Sequence, residues 1–282
     1  MEYFDSMVGP HNWTEHVGNI PKNAEAMVLK ALNERRISIS NVVIDEGQDF
    51  TDAWIEGLRK CTSGKFVVFY DKNQALFQTE LPSWFQRAEC RLVLKKNCRN
   101  TREIGTTAFR VVGSSASNDH APSGPKPKLH LYSQPKSGRA ILRKILMGYL
   151  HDRQAGIDPQ DIAVLTMRSE KTSEFPRDEW PTGSSDEYHS RNVCFTSVAR
   201  FKGLEKRIVI LIDVDLGRLS EKKYRGFLHL GCSRAIYCLH ILAAKPGKEE
   251  LAKAVEAVGG QLQPDSSLNT LADLLEIDLV AE

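Results

Sequence analysis

The sequence predicts an α/β protein whose strands form largely parallel sheets. Short apolar runs typical of buried strands alternate along the chain with stretches of helical periodicity. A length of 282 residues suggests about two domains. A segment rich in Gly, Ser, Pro and Lys, residues 113–128, is typical of a linker inside the second of them. These observations divide the chain into a first unit over residues 1–90, a second over 91–245 and a helical tail over 246–282.

The first unit begins with a helical pattern over residues 21–36. A strand follows over 38–44 and ends in the apolar run Val42-Val43-Ile44, which is patterned for burial on both faces of a sheet. Thr51 is placed to cap a helix that carries Trp54, Ile55 and Leu58 on one face. A second buried strand is predicted over 66–70.

The second unit alternates strands and helices more regularly. Asn100 and Glu103 have the spacing of a capping box and mark the start of its first helix. The tail carries leucines at helical spacing near its end. The predicted strands are 91–94, 129–132, 161–167, 193–198, 208–213 and 237–243; the predicted helices are 101–112, 138–150 and 220–235, with a polar loop over 168–191.

Composition restricts the class of protein only loosely. A net charge of +2 and a pI of about 8.2 neither require nor exclude a nucleic-acid partner, because a local basic groove can hide in a neutral total. The six cysteines are scattered without a CxxC pair, which favours reduced thiols over disulfides or zinc ligands. The longest apolar runs, of which residues 208–212 are one, are far shorter than the roughly 20 residues of a membrane helix. We therefore expect a soluble cytoplasmic protein with no membrane partner.

Two adjacent acids follow the first predicted strand, Asp45 and Glu46. In a phosphoryl-transfer site, an acid at a strand's C-terminal end can reach Mg²⁺, and a neighbouring carboxylate can orient or deprotonate the attacking water. Asp45 and Glu46 suit these two roles. Alternatively, they form a solvated acidic turn. The longer string that includes Gln48 and Asp49 weakens this explanation.

Three further positions carry polar chemistry near strand ends. Gln74 follows Asp71 beyond the second strand, where a neutral amide can contact a phosphate, although such a segment is often only a turn. Arg99 and Arg234 lie near strand ends of the second unit. A guanidinium placed across a cleft can stabilise charge on a transferring phosphoryl group, whereas the alternative for either arginine is a surface ion pair.

The segment over residues 196–205 combines hydroxyl groups, two cations, an aromatic ring and a glycine. This mixture suits contact with a phosphate backbone or a ribose through a closely approaching main chain. Alternatively, it is a generic connection between strands.

Five segments, in this order, resemble the conserved motifs of superfamily 1 DNA helicases of the UvrD/Rep type. Together they span residues 42–243. The sequence of the third segment, residues 97–101, is similar to that of helicases that accompany nuclease-related domains. The segments are Asp45-Glu46-Gly47-Gln48-Asp49 for motif II, Asp71 to Gln74 with Ala75-Leu76-Phe77 for motif III, Asn97-Cys98-Arg99-Asn100-Thr101 for motif IV, Lys202-Gly203-Leu204-Glu205 with Thr196 upstream for motif V, and Gly231-Cys232-Ser233-Arg234-Ala235 for motif VI.

The resemblance implies RecA-like parallel sheets, ATP and Mg²⁺ as ligands, and single-stranded or partly duplex DNA as partner, with 3′ to 5′ polarity favoured. It implies Asp45 as the magnesium ligand, Glu46 as the general base, Gln74 as the γ-phosphate contact, and Arg99 and Arg234 as arginine fingers. The other residues that it assigns are Gln48, Asp71, Gly203 and Glu205 near the nucleotide, and Thr196, Ser197, Lys202 and Phe77 near the nucleic acid. In two places the chain departs from the family: Tyr70 replaces the glycine before motif III, and Gln78-Thr79 stand where a base-stacking aromatic is expected.

A phosphate-binding loop of the form G-x-x-x-x-G-K-[ST] does not occur in the sequence. The nearest approaches, around Gly57 and Gly124, lack its spacing and context. We therefore expect motif I upstream of Met1, a truncated and marginally stable first unit, and a complete P-loop-NTPase-like second unit. The chain alone is then expected not to turn over ATP. A degenerate helicase that serves as a DNA-binding or interaction module, and one subunit of a split helicase completed by another chain, remain as alternatives.

Overall fold

The chain divides into two compact units, Met1–Leu92 and Val93–Glu282. A computed structural model supplies the coordinates. The residues that it describes are 30, 38–71, 83–92, 99–114, 120–151, 156–175, 182–183, 192–261 and 267–280.

The first unit contains two short parallel strands, β1 (Val42–Ile44) and β2 (Phe66–Val68), with Val43 opposite Val67. Two helices follow the strands in turn, α1 (Asp52–Lys60) and α2 (Ser83–Gln86). β1 is shorter than predicted, since Ile39 makes only an isolated bridge with Thr62.

α1 and α2 both pack on one face of this two-stranded sheet. Ile44, Ile55 and Trp84 form the buried centre of the contact, with Phe66 and Val68 beside them. On the opposite face the side chains of Val43, Val67 and Phe69 are 67%, 41% and 51% exposed. The prediction that β1 is buried on both faces is therefore wrong for Val43, because the described helices cover a single face.

The second unit is built on a seven-stranded parallel sheet of order β5-β6-β4-β7-β8-β3-β9. Its strands are β3 (Lys128–Tyr132), β4 (Ile162–Thr166), β5 (Thr182–Gly183), β6 (Val193–Ser197), β7 (Lys206–Asp215), β8 (Ala235–Ala244) and β9 (Asp278–Val280). Its helices are α3 (Arg102–Val111), α4 (Pro135–His151), α5 (Lys222–Cys232), α6 (Lys248–Ala257) and α7 (Leu268–Leu275). Short 3₁₀ turns cover Gly47–Asp49 in the first unit, and Pro159–Asp161 and Leu216–Ser220 in the second.

Helices cover both faces of the central strand β7. Leu142 of α4 packs with Ile208 and Ile210 on one face. On the other face, α5 approaches so closely that a Cβ at Gly231 would lie 2.9 Å from Leu211 Cδ2. An interior strand buried on both sides reads as a continuous apolar run, which is why the sequence pattern identified β7. The structure confirms the α/β class with parallel sheets, an arrangement consistent with a RecA-like fold.

The C-terminal tail, which was predicted to be helical, contributes a strand as well as the helices α6 and α7. β9 pairs in parallel with β3, and the amide of Asp278 donates to the carbonyl of Pro127. Arg110 of α3 forms an ion pair with Glu276, the C-cap residue that follows α7. The tail is thus part of the second unit's sheet, and its strand escaped prediction because three residues carry too little periodicity.

Some predicted elements lie partly or wholly outside the described residues. Of the predicted helix 21–36 only Lys30 is described, and it is helical. Arg91 and Leu92, the first half of a predicted strand, are not in a strand. The predicted loop 168–191 contains the short strand β5. No helix in the described part of the chain combines the length and hydropathy that crossing a membrane requires.

Candidate functional site

The turn at the C-terminal end of β1 holds Asp45, the predicted magnesium ligand, and Glu46, the predicted general base. Glu46 has a left-handed backbone, with φ 54° and ψ 43°, and its amide donates to Asp45 Oδ1 at 2.9 Å. This conformation is costly for a residue with a side chain, so it persists only where the surroundings enforce it. Here Gly47 enforces the conformation of Glu46. The amide of Gly47 donates to Phe69 O at 2.7 Å, and the backbone packs so closely that a Cβ at Gly47 would lie 2.3 Å from Val68 Cγ1.

A buried amide ties this turn to the end of β2. Gln48 is fully buried; its Nε2 donates to Glu46 Oε2, and its Oε1 accepts the amide of Asp71 at 3.0 Å. Gln48 was predicted to contact the nucleotide. The structure places both of its polar atoms in bonds within the protein, where they hold the Glu46 carboxylate and the Asp71 backbone together. Sequence reasoning missed this bracing role.

The fit of this turn to Mg²⁺ can be judged from its carboxylates. Asp45 is exposed and lies at the strand end. Within the described ranges, no group of three or more His, Cys, Asp or Glu side chains could enclose a metal ion. Mg²⁺ is usually held by one or two carboxylates together with water and substrate phosphates, so Asp45 fits such a site when a phosphate supplies the remaining ligands. Gln74 and Phe77 lie outside the described residues.

In the second unit, the structure brings together two residues that the sequence assigned separately. Arg99 Nε lies 2.9 Å from Glu205 Oε2, and both side chains are about half exposed. The sequence had offered an arginine finger or a surface ion pair for Arg99, and the ion pair is present. It joins the segment before α3 to the loop before β7, which places the third and fourth of the five motif-like segments side by side.

Arg234 is held against main-chain carbonyls. Its side chain is 2% exposed; Nε donates to Leu230 O at 3.3 Å, Nη1 to Leu204 O at 3.5 Å, and Nη2 to Ser233 Oγ at 3.2 Å. In this arrangement the guanidinium ties the end of α5 to the loop before β7. Because so little of its side chain is exposed, Arg234 has to move before it can contact a phosphoryl group.

Asn100 has a structural role that the sequence did not reveal. It is buried, and its Nδ2 donates to Ser233 O at 3.0 Å and to Ala235 O at 2.5 Å. The predicted capping box is wrong, because Thr101 is the residue at the N-cap and Glu103 instead accepts the amide of Gly124 at 2.7 Å. Asn100 therefore fastens the start of α3 to the start of β8.

The end of β6 and the segment after it contain the predicted nucleic-acid contacts Thr196, Ser197 and Lys202. Thr196 is fully buried, and its hydroxyl donates to Glu170 Oε1 at 2.7 Å. Ser197 Oγ accepts the amide of Arg200 at 3.4 Å. Gly203 has φ +85°, and nothing lies within 4 Å of where its Cβ would be, so the chain there is open to close approach. Lys202 precedes it and is half-buried.

A buried aspartate orders the loop that carries Glu170. Asp213, at φ 58°, accepts hydrogen bonds from Thr166 Oγ1 at 2.6 Å, from Ser173 Oγ at 2.7 Å and from the amide of Glu174 at 3.1 Å. A buried carboxylate is stable only when its lone pairs are satisfied in this way. The residues after β4 are thereby held against the end of β7, an arrangement that no sequence signal indicated.

Comparison with known proteins finds a likeness among solved structures alone. No family model matches the chain, and no curated protein matches it. Among solved structures, the chain is similar to the crystal structure of the C-terminal domain of a possible DNA helicase from Lactobacillus plantarum WCFS1. The sequence identity is 18% and the TM-score 0.42, over 57% of this chain and 96% of that chain.

Proposed function

We propose that this chain is the part of an ATP-dependent superfamily 1 DNA helicase or translocase, of 3′ to 5′ polarity, that carries motifs II to VI. The observation that carries the proposal is the Asp45–Asp49 turn at the end of β1. Its left-handed Glu46 and its buried Gln48 hold two acidic residues at the C-terminal end of a parallel strand. Ligands of open α/β sheets bind at these strand ends.

The proposal gives seven of the predicted site residues a role at the nucleotide. Asp45 would hold Mg²⁺, which neutralises charge on the phosphates when bound, and Glu46 would orient or deprotonate the attacking water. Gln74 would contact the γ-phosphate. Arg99 and Arg234 would stabilise charge on the phosphoryl group after leaving their present partners. Gly203 and Glu205 would lie near the ribose, which is supported by the open backbone at Gly203.

The lack of a phosphate loop limits what the chain does alone. None of its 282 residues forms the G-x-x-x-x-G-K-[ST] sequence whose amides and lysine bind the β- and γ-phosphates. ATP turnover then requires that another stretch of polypeptide supply this loop. We expect the chain to bind single-stranded DNA through its second unit and not to hydrolyse ATP by itself.

Two measurements on the purified chain test this proposal. The first is binding of a fluorescein-labelled oligothymidine at low salt; no detectable binding refutes the nucleic-acid part. The second is DNA-stimulated ATP hydrolysis, compared between the wild type and Glu46→Gln. Hydrolysis that Glu46→Gln abolishes would refute the requirement for an added loop and would identify Glu46 as the base.

The alternative function is a nucleic-acid-binding or interaction module without catalysis, or one subunit of a split helicase. The inward hydrogen bonds of Arg234, together with the missing phosphate loop, favour it. Reading the coding DNA on the 5′ side of this sequence separates the cases. An in-frame phosphate loop supports a single-chain helicase, and a neighbouring gene that encodes such a loop supports a split enzyme. If the DNA contains neither of these, the binding module is supported.

A further inference from the structure

Three side chains form a connected cluster at the C-terminal ends of β4 and β6. Thr196, the fourth residue of β6, donates its hydroxyl hydrogen to Glu170 Oε1 at 2.7 Å. The same oxygen accepts from Arg200 Nη1 at 3.2 Å. All three belong to the second unit, and Glu170 lies in the loop after β4 that Asp213 orders.

Burial decides which of the three can meet a ligand. The Thr196 side chain is 0% exposed, so its hydroxyl is committed to Glu170 and is covered by protein. The Arg200 side chain is 53% exposed and that of Glu170 is 22% exposed. A strand of nucleic acid passing over this turn therefore meets the guanidinium, whereas Thr196 lies beneath it.

The cluster also fixes the direction in which Arg200 points. The carboxylate is anchored by a buried hydroxyl, and the Arg200 amide is held by Ser197 Oγ. A guanidinium has five N–H donors in a rigid fork, and the bond to Glu170 Oε1 uses Nη1. A fork whose orientation is already set loses less side-chain entropy when it binds a phosphate. Lys202, which is half-buried, and the open backbone at Gly203 follow Arg200 directly along the chain.

We propose that Arg200 contacts a backbone phosphate of single-stranded nucleic acid, that Glu170 is the positioning residue for it, and that Thr196 acts through Glu170 without touching the strand. The proposal rests on the proposed nucleic-acid-binding function and adds a ligand contact, Arg200, that the motif resemblance does not assign. It also replaces the direct backbone contact that the resemblance gives to Thr196.

A double-mutant cycle between Thr196→Val and Arg200→Ala tests the assignment. Thr196→Val removes the hydroxyl and leaves every charge in place, while Thr196→Ser keeps the hydroxyl and serves as the rescue variant. Arg207→Ala is the matched control, because Arg207 pairs with Asp161 at the N-terminal ends of β7 and β4, opposite to the C-terminal ends that carry the cluster, and its side chain is 46% exposed. The probe is a fluorescein-labelled oligothymidine of about 20 nucleotides, which covers at least one typical binding site. Its affinity is measured by anisotropy across a range of salt concentrations.

The expected results follow from counterion release. Arg200→Ala should reduce the magnitude of the negative slope of log affinity against log salt by about 0.7. The same loss should lower the affinity about fivefold at roughly 0.1 M salt. Arg207→Ala should leave both unchanged. Thr196→Val should weaken binding in the wild-type background, Thr196→Ser should not, and Thr196→Val should have no further effect when Arg200 is already alanine.

Each contrary result overturns a defined part. Additive effects of Thr196→Val and Arg200→Ala would mean that Thr196 contacts the strand directly, and an Arg200→Ala variant that binds like wild type would remove Arg200 from the interface. If Thr196→Val does not fold by circular dichroism, Glu170→Gln takes its place and should weaken binding only when Arg200 is present. Failure of the wild type to bind at all would refute the proposed function together with this contact, which distinguishes it from the other two outcomes.

Discussion

Acidification is expected to weaken the second unit through two buried histidines. His130 on β3 and His240 on β8 face each other, with Nε2 and Nδ1 3.0 Å apart, and Tyr149 of α4 completes the chain at 2.8 Å from His240 Nε2. Burial, together with the charges of Lys128 and Lys144, lowers the pKa of His130 to about 4, and burial, together with the charges of His130 and Lys128, lowers that of His240 to about 3. One hydrogen lies between His130 Nε2 and His240 Nδ1, so protonating both rings would bring two N–H groups face to face.

The size of the effect follows from linkage between protonation and unfolding. In the unfolded chain each histidine binds its proton near pH 6.5, whereas in the folded protein both stay neutral until about pH 4. Stability from the pair is therefore complete above pH 6.5 and falls as the pH drops below it. The loss is about 1.4 kcal/mol per pH unit for each proton, so about 2 kcal/mol per histidine at pH 5. This figure depends on the unfolded pKa and hardly on the folded one.

The assay is urea unfolding followed by far-ultraviolet circular dichroism at several pH values between 7 and 5. The single variants His130→Gln and His240→Gln should each make the dependence of unfolding free energy on pH shallower by one proton. His120 is exposed, and His120→Gln should keep the wild-type slope. The comparison uses the slope of unfolding free energy against pH, so a variant that is less stable at every pH can still be compared with the wild type. Equal slopes for wild type and both buried-site variants would refute the reasoning.

Three further predictions concern packing and the relative strength of the two units. Gly231→Ala should cost about 1–3 kcal/mol in urea unfolding, because its Cβ would lie 2.9 Å from Leu211 Cδ2. Gly148 lies in α4, and a Cβ there would meet nothing within 4 Å, so Gly148→Ala should instead stabilise the protein by about 0.5–1 kcal/mol. If both substitutions change the free energy of unfolding in the same direction, the packing argument is contradicted. Asn100→Ala should cost about 1–3 kcal/mol, since it leaves two buried carbonyls without their donor, and an unchanged midpoint would show that water replaces the side chain. Limited proteolysis should cut within Met1–Leu92 before Val93–Glu282, because one sheet face of the first unit is exposed, and equal resistance would count against it.

Much of the architecture could be predicted because its signals are local. Residues 208–212 are an unbroken apolar run, and the structure makes them the middle of β7, buried on both faces. α3 and α4 begin and end within three residues of the predicted bounds, since helical periodicity needs only neighbouring turns. The three-residue strand β9 carries no such signal, and its place beside β3 depends on pairing with residues about 150 positions earlier.

The candidate site was predicted less completely, because a residue type does not name its partner. Asp45 and Glu46 were recognised from their position after an apolar run. Gln48 was assigned to the nucleotide, whereas it braces Glu46 against the end of β2. The partner of Asn100 lies more than 130 residues away, so neighbouring residues favoured a helix cap.

The sequence by itself determined the α/β class, the positions of most strands and helices, and which polar residues follow the strands, because each of these depends on a local pattern. Only the tertiary structure decided which groups meet. It paired Arg99 with Glu205, turned Arg234 onto carbonyl oxygens, and placed Thr196 beneath Glu170. Hydrogen bonds and ion pairs act over about 3 Å and depend on direction, so their partners are set by how distant strands align in the sheet.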